Sequence, residues 1–123
     1  MNVNNAEIAA QIVTLPQTFH SLGNVSIFGL LQATGYFDLH DQISEEDIRA
    51  ALVRCPECVQ EWLQYAEDKR TPSGWYVTLN DEGCYERGYI ADARTRTNRV
   101  QYDNAIDACA AFIKHEIEEI RVA

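Results

Sequence analysis

Basic residues are scarce in this chain, and their scarcity excludes two classes of partner. Ten lysines and arginines stand against nineteen acidic residues, which gives a formal net charge of −9 at pH 7. Nucleic acids and anionic membrane surfaces both require a basic face, so we expect no direct binding to nucleic acid and none to a membrane. The charge favours attraction to a cationic partner instead.

Long apolar runs and a targeting signal are also missing. The first thirteen residues carry no positive region, and Glu7 and Gln11 interrupt their apolar positions. No stretch reaches the roughly 18 consecutive apolar residues that a membrane span requires. We therefore expect a cytoplasmic protein, in which the four cysteines are reduced thiols.

The sequence contains no glycine-rich phosphate loop and no nucleophile motif. Two short segments nevertheless contain residues that could support catalysis. Cys55-Pro56-Glu57-Cys58 lacks the second pair of ligands of a zinc site, and it joins two predicted helices rather than following a strand. Asp38-Leu39-His40-Asp41 is suited to acid–base chemistry. We favour a protein that is not an enzyme and binds no cofactor or metal, with Cys58 and Cys109 as small core residues.

A β-hairpin is predicted in the second half of the chain. Residues 75–79 alternate, with Trp75, Val77 and Leu79 on one face. Asn80-Asp81-Glu82-Gly83 has the chemistry of a hairpin turn. The return strand covers Cys84 to Ala91, and Gly88 within it indicates a bulge or a close backbone approach.

Helices are predicted on both sides of this hairpin, and a third strand completes it. The expected helices are Asn5 to Leu15, ended by Pro16; Asn24 to Leu31, capped by Asn24 or Ser26 and stopped by Gly35; a helix after the N-cap Ser44; Glu57 to about Lys69; and one from Asp103 or Asn104 to about Arg121. Arg99 to Tyr102 is the third strand, and residues 92–98 form a cationic loop. Residues 1–123 are thus predicted to form a single α+β domain, with N-terminal helices, a three-stranded antiparallel β-meander and a C-terminal helix.

The negative charge is concentrated in one part of the chain. Residues 38–68 contain nine acidic residues against Arg49 and Arg54, whereas residues 69–99 have a small basic excess. In the helix predicted from Glu57, the apolar positions Val59, Trp62, Leu63 and Ala66 lie opposite an acidic stripe of Glu57, Glu61, Gln64 and Asp68. Like charges at this spacing are mildly destabilising, which indicates a use for them.

The run Glu67-Asp68-Lys69-Arg70-Thr71-Pro72-Ser73-Gly74-Trp75-Tyr76-Val77, the strand Gly88-Tyr89-Ile90 and the helix from Ala108 to Ile117 resemble small bacterial immunity proteins. These belong to contact-dependent growth inhibition and related polymorphic toxin systems. The resemblance implies a cytoplasmic protein that binds the C-terminal domain of one cognate toxin, often a nuclease, and neutralises it.

A contact surface follows from the acidic stripe and from aromatic anchors near it. The predicted partner-binding residues are Glu45, Glu46, Asp47, Glu57, Glu61, Gln64, Tyr65, Asp68 and Trp75, with Tyr36 as a further aromatic candidate. The alternative is an acidic interaction module or regulator that is not linked to a toxin. An enzyme built on His40 or on the cysteine pair is the third hypothesis.

Overall fold

The computed structural model describes residues 5–22, 26–68, 74–80, 82–92 and 95–122, and its architecture is the predicted α+β one. The helices that precede the sheet are α1 (Asn5–Val13), α2 (Leu15–Leu22), α3 (Ile27–Ala33), α4 (Tyr36–Leu39), α5 (Glu45–Arg54) and α6 (Pro56–Asp68). The strands β1 (Gly74–Leu79), β2 (Tyr85–Asp92) and β3 (Thr95–Tyr102) follow, and then α7 (Ala105–Val122).

Pro16 lies in the first turn of a helix rather than at the end of one. The predicted helix from Asn5 to Leu15 is too long, because α1 ends at Val13 and α2 begins at Leu15. The first N–H groups of a helix have no partner within it, so proline fits there without losing a hydrogen bond. The prediction that Pro16 ends a helix is therefore wrong, and α2 was not predicted.

Ser26 and Gly35 bound α3 as the sequence indicates. The Ser26 side chain accepts a hydrogen bond from the Gly29 N–H at 2.9 Å, and Gly35 follows the helix with φ at 88°, in the left-handed region. Asn24, the other predicted cap, lies outside the described residues. The single turn of α4 after Gly35 was not predicted, because four residues are too few to show a helical period.

The corner between α5 and α6 corrects one prediction. Ser44 and Asp47 form the expected capping box at the start of α5, and Pro56 begins α6 directly after the C-cap Cys55. Cys55 and Cys58, however, form a disulfide bond, with their Cα atoms 5.6 Å apart. The expectation of four reduced thiols is therefore wrong for this pair, because it considered the compartment and ignored how closely a helical first turn brings the two residues together.

The three strands form one antiparallel sheet in the order β1-β2-β3. Trp75 pairs with Tyr89, so these rings share a face, while Tyr76 pairs with Gly88 on the other face. The close approach predicted at Gly88 is confirmed, since a Cβ atom there would lie 2.7 Å from the Tyr76 hydroxyl oxygen. The register between β2 and β3 also shifts at this position.

β3 is longer than predicted, and most of the expected cationic loop at residues 92–98 belongs to it. The strand begins at Thr95, four residues before the predicted start, and most of it is exposed. Arg96 lies over the Tyr76 ring at 5.0 Å, and Arg99 donates to Glu86 at 2.9 Å. A strand that covers polar groups has no apolar alternation, which explains why the sequence pattern did not reveal it.

Helix α7 supplies the centre of the core and packs against α5, α6, β1 and β2. The side chains of Cys109, Phe112, Ile113 and Ile117 are fully buried, as predicted for its inner face. The side chain of Asn104 caps the helix by accepting from the Asp107 N–H at 2.8 Å. The helices therefore cover one face of the sheet through α7.

Three carboxylates accept hydrogen bonds from tyrosine hydroxyls, and two of them, Glu86 and Glu116, are buried. The hydroxyl groups of Tyr36, Tyr65 and Tyr76 donate to Glu118, Glu116 and Glu86, respectively. Glu118 also accepts from Arg121 at 3.1 Å. Hydrogen bonds to the charged form lower the pKa of Glu118 and of Glu86. Glu116 is thus an internal partner of Tyr65, and the partly exposed Glu118 is held by Tyr36 and Arg121.

Candidate protein-binding surface

The outward side of α6 presents three of the predicted contact residues. Glu57, Gln64 and Asp68 are exposed, and the Gln64 side-chain amide donates to Asp68 at 2.9 Å. Their spacing of seven and four residues keeps them on one side of the helix. We call these three residues the α6 acidic face.

Glu61 does not belong fully to this face, and this corrects the prediction that it points to solvent. The residue is half-buried, and its Oε1 atom is buried with no hydrogen-bond partner among the described residues. Glu61 stands three residues after Cys58 and four before Tyr65, both on the inner side of the helix. It therefore lies at the boundary between core and surface, and the four predicted positions are not equally exposed.

Tyr65 is an internal residue rather than an exposed anchor. Its ring packs edge-on against Trp62 with the centroids 5.1 Å apart, and its hydroxyl donates to the buried Glu116 at 2.8 Å. Burial and this carboxylate raise the pKa of Tyr65 far above its usual value. The helical position of Tyr65 faces α7 and so directs the hydroxyl of this candidate anchor inward.

The two other aromatic candidates are also held within the fold. Tyr36 is fully buried. Trp75 is half-buried and stacks on His115 of α7 with the ring centroids 4.2 Å apart, and Tyr89 packs edge-on against it at 5.0 Å. An anchor must be free to enter a pocket of the partner, so neither ring fits that role as it stands.

The remaining predicted residues form a second acidic patch at the start of α5. Glu45 and Glu46 are exposed there, while the Asp47 side chain accepts from the Ser44 N–H at 2.9 Å in the capping box. The ten residues of α5 separate this patch from the start of α6, a length of about 15 Å. The predicted contact residues thus form two patches rather than one continuous stripe.

Few cations neutralise the exposed carboxylates. Within the described ranges, Glu45, Glu57 and Asp68 make no salt bridge. Most of the described cations are held by groups of the fold itself: Arg49 by Asp107, Arg99 by Glu86, Arg121 by Glu118, Arg87 by the Asn98 carbonyl, and Lys114 by Tyr36 and two backbone carbonyls. The negative charge on α6 therefore acts outward, on whatever approaches it.

A groove beside the α6 acidic face was not predicted. It has a volume of about 480 Å³ and lies between α6 and β1, with Leu63, Leu79 and Glu67 among its lining residues. Leu79 is 57% exposed, so the groove presents apolar surface to solvent. Gln60, Leu63 and Glu67 follow one another at helical spacing, and this is the signal in the sequence that indicates a shared face.

His40, in one of the two segments that suggested catalysis, lies close to a carboxylate. The Nδ1 atom of His40 lies 4.0 Å from Glu118, whose carboxylate is already bound to Tyr36 and Arg121. The described residues contain no group of three or more histidine, cysteine or acidic side chains arranged to hold a metal ion. His40 therefore lies beside a partly exposed cluster of Glu118, Tyr36 and Arg121 at the end of α4.

Comparison of the chain with protein-family models, with curated protein sequences and with solved structures finds no match in any of the three. None of the helices in the described ranges combines the length and the apolar character that crossing a membrane requires.

His115, which stacks on Trp75, is expected to make the stability of the protein depend on pH. Burial, together with Arg87 and Lys114, lowers the pKa of His115 below its usual 6.5. The folded protein thus binds this proton less readily than the unfolded chain, so the free energy of unfolding falls as pH drops below 6.5, by at most about 1.4 kcal/mol per pH unit.

Urea unfolding at pH 7.5 and at about pH 5.5 measures this effect. We expect His115→Gln to lose less stability between the two pH values than the wild-type protein. Gln17→Ala, a control at an exposed position of α2 that does not titrate, should keep the wild-type dependence. An equal loss in His115→Gln and in the wild type would show that His115 is not responsible.

Proposed function

We propose that this protein is an immunity protein that binds a cationic toxin domain and neutralises it. The observation that carries the proposal is the α6 acidic face, whose exposed carboxylates Glu57 and Asp68 make no salt bridge within the described residues. The resemblance of residues 67–77 and of the last helix to immunity proteins points to the same class of partner.

A nuclease toxin must present a basic cleft to its nucleic-acid substrate. An acidic face can occupy such a cleft and exclude the substrate. Complementary charge also accelerates association, and an inhibitor must capture the toxin before it acts. The α6 acidic face supplies the negative charge for this encounter.

The groove between α6 and β1 supports the proposal in a second way. Protein interfaces combine an apolar centre with a polar rim, and a side chain that fills a pocket contributes most of the affinity. Leu63 and Leu79 offer the apolar surface, and Glu67 lies on the same groove, next to the acidic face. An apolar side chain of the toxin that is flanked by lysine or arginine fits this arrangement.

Co-expression with the toxin C-terminal domain encoded directly upstream tests the proposal. We expect a one-to-one complex in a pull-down and restored growth of cells that produce the toxin domain. A complex with a cationic protein that has no toxic activity would favour the acidic interaction module instead. Absence of an upstream toxin gene would count against immunity.

Charge reversal on the α6 acidic face should weaken this complex. In the double variant Glu57→Lys/Asp68→Lys, we expect the association rate constant to fall about tenfold at low salt, and less at high salt. Surface plasmon resonance at several salt concentrations measures both effects. The fold should remain intact, because both side chains are exposed.

Glu7→Lys/Glu82→Lys is the matched control, since these two exposed residues lie on α1 and in the hairpin turn. It changes the net charge by the same amount and should alter the rate much less. Equal effects of the two double variants would mean that only net charge matters and that the contact lies elsewhere. Glu61 is kept unchanged in both, because its carboxylate is partly buried.

A further inference from the structure

The disulfide at the corner between α5 and α6 has two unlike sulfur atoms. Cys55 ends α5 and is partly exposed, whereas Cys58 is fully buried in the core. The exposed Val53 and Arg54 precede Cys55. A thiolate that approaches from solvent therefore reaches Cys55 first.

Cys58 is the sulfur that leaves when Cys55 is attacked, and its place in the first turn of α6 offsets part of the cost of a buried thiolate. It is the third residue of α6, and its N–H donates to the Cys55 carbonyl at 3.0 Å. The helix dipole stabilises negative charge in the first turn of a helix. A stabilised leaving thiolate accelerates thiol–disulfide exchange.

The disulfide also closes a very short loop, since only Pro56 and Glu57 separate the two cysteines. The stability that a disulfide adds increases with the length of the loop that it closes. A bond over three positions therefore gains little protection from the fold against reduction. Exposed disulfides belong to the labile class, and this bond has one partly exposed sulfur-bearing residue, Cys55.

We propose that Cys55–Cys58 is a reversible thiol–disulfide exchange site, attacked at Cys55 by a small thiol of the glutathione type. The thiolate forms a bond to the Cys55 sulfur, and the bond to Cys58 breaks, leaving Cys58 as a thiolate. A second thiol then attacks the glutathione sulfur of the mixed disulfide and releases Cys55. The protein gains two electrons and two protons, and two thiols are oxidised to one disulfide.

Incubation of the full chain in buffers of reduced and oxidised glutathione tests the site. After alkylation with N-ethylmaleimide, peptide mass spectrometry gives the state of each cysteine, and circular dichroism reports the fold. We expect the pair to interconvert between disulfide and dithiol while the protein stays folded. The buried Cys109 should remain unmodified in every buffer.

Two variants, each lacking one cysteine of the pair, test the direction of attack. In Cys58→Ala we expect Cys55 to form a mixed disulfide with oxidised glutathione about tenfold faster than Cys58 does in Cys55→Ala. The half-buried Cys84, which has no neighbouring thiol partner in the described residues, is an internal reference in both variants.

Reduction of the wild-type pair only after the protein unfolds would overturn the proposal and make the bond a structural one. Equal rates for the two variants would also overturn it, because the assigned asymmetry would be absent. The wild-type titration decides the question even if Cys58→Ala fails to fold. No toxin domain enters these measurements, so the proposal does not depend on the function proposed above.

Discussion

Trp62→Ala is expected to lower the free energy of unfolding by about 3–5 kcal/mol. Trp62 is fully buried and packs edge-on against Phe112 with the ring centroids 6.2 Å apart. Its indole N–H donates to the Val13 carbonyl at 2.9 Å and so ties α6 to α1. The substitution leaves a large cavity and an unpaired backbone acceptor in the same place.

Urea unfolding followed by circular dichroism measures the loss. Trp62→Phe separates the two causes, since it retains most of the ring contacts and removes the donor; it should cost less than Trp62→Ala. Val53→Ala is the control for an apolar truncation at an exposed site, because Val53 is 50% exposed, and its effect should stay within about 0.5 kcal/mol. A loss below about 1 kcal/mol for Trp62→Ala would mean that the ring is not central to the core.

Local chemistry made the boundaries of several elements predictable. Ser44 and Asp47 can satisfy the first N–H groups of α5 without any distant residue, and Asn80 with Gly83 can close the hairpin in the same way. Alternation in β1 likewise needs only one buried face. These signals lie within a few residues of the structure that they predict.

Contacts between distant residues set what the sequence did not reveal. Tyr65 was predicted as an anchor because its helical position is close to the acidic stripe, but Glu116 on α7 draws its hydroxyl inward. β3 pairs with β2, and its Arg96 and Arg99 cover Tyr76 and Glu86 on the two other strands. A periodic pattern contains no information about such pairs.

The candidate surface could be predicted only in part, because some of its positions depend on contacts with distant elements. Helical spacing identifies Glu57, Gln64 and Asp68 as one exposed face without any knowledge of α7. It cannot place Glu61, because a boundary position depends on which neighbouring elements cover it. Charge counting along the chain also hides that Glu116 and Glu118 lie inside ion-pair and tyrosine contacts. The exposed carboxylates are therefore densest on α5 and α6, while others such as Glu7 and Glu82 lie elsewhere on the surface.

Gly88→Val is expected to cost about 3 kcal/mol, because the new side chain would overlap a buried ring. A Cβ atom at position 88 would lie 2.7 Å from the Tyr76 hydroxyl oxygen and 2.9 Å from two carbon atoms of its ring. Moving the ring also breaks the Tyr76 hydrogen bond to Glu86 and its contact with Arg96. Because Gly88 has no side chain, the Tyr76 ring can pack directly on its backbone.

A double-mutant cycle with Tyr76→Ala isolates this cause. Tyr76→Ala alone should destabilise, since the ring is 8% exposed and its hydroxyl binds Glu86. Once the ring is absent, the valine side chain at position 88 has room and favours the strand. The double variant should therefore lose about 2 kcal/mol less in free energy of unfolding than the sum of the two single losses. Additive losses would show that Gly88 is needed for its backbone conformation, at the register shift between β2 and β3, and not for the close approach of Tyr76.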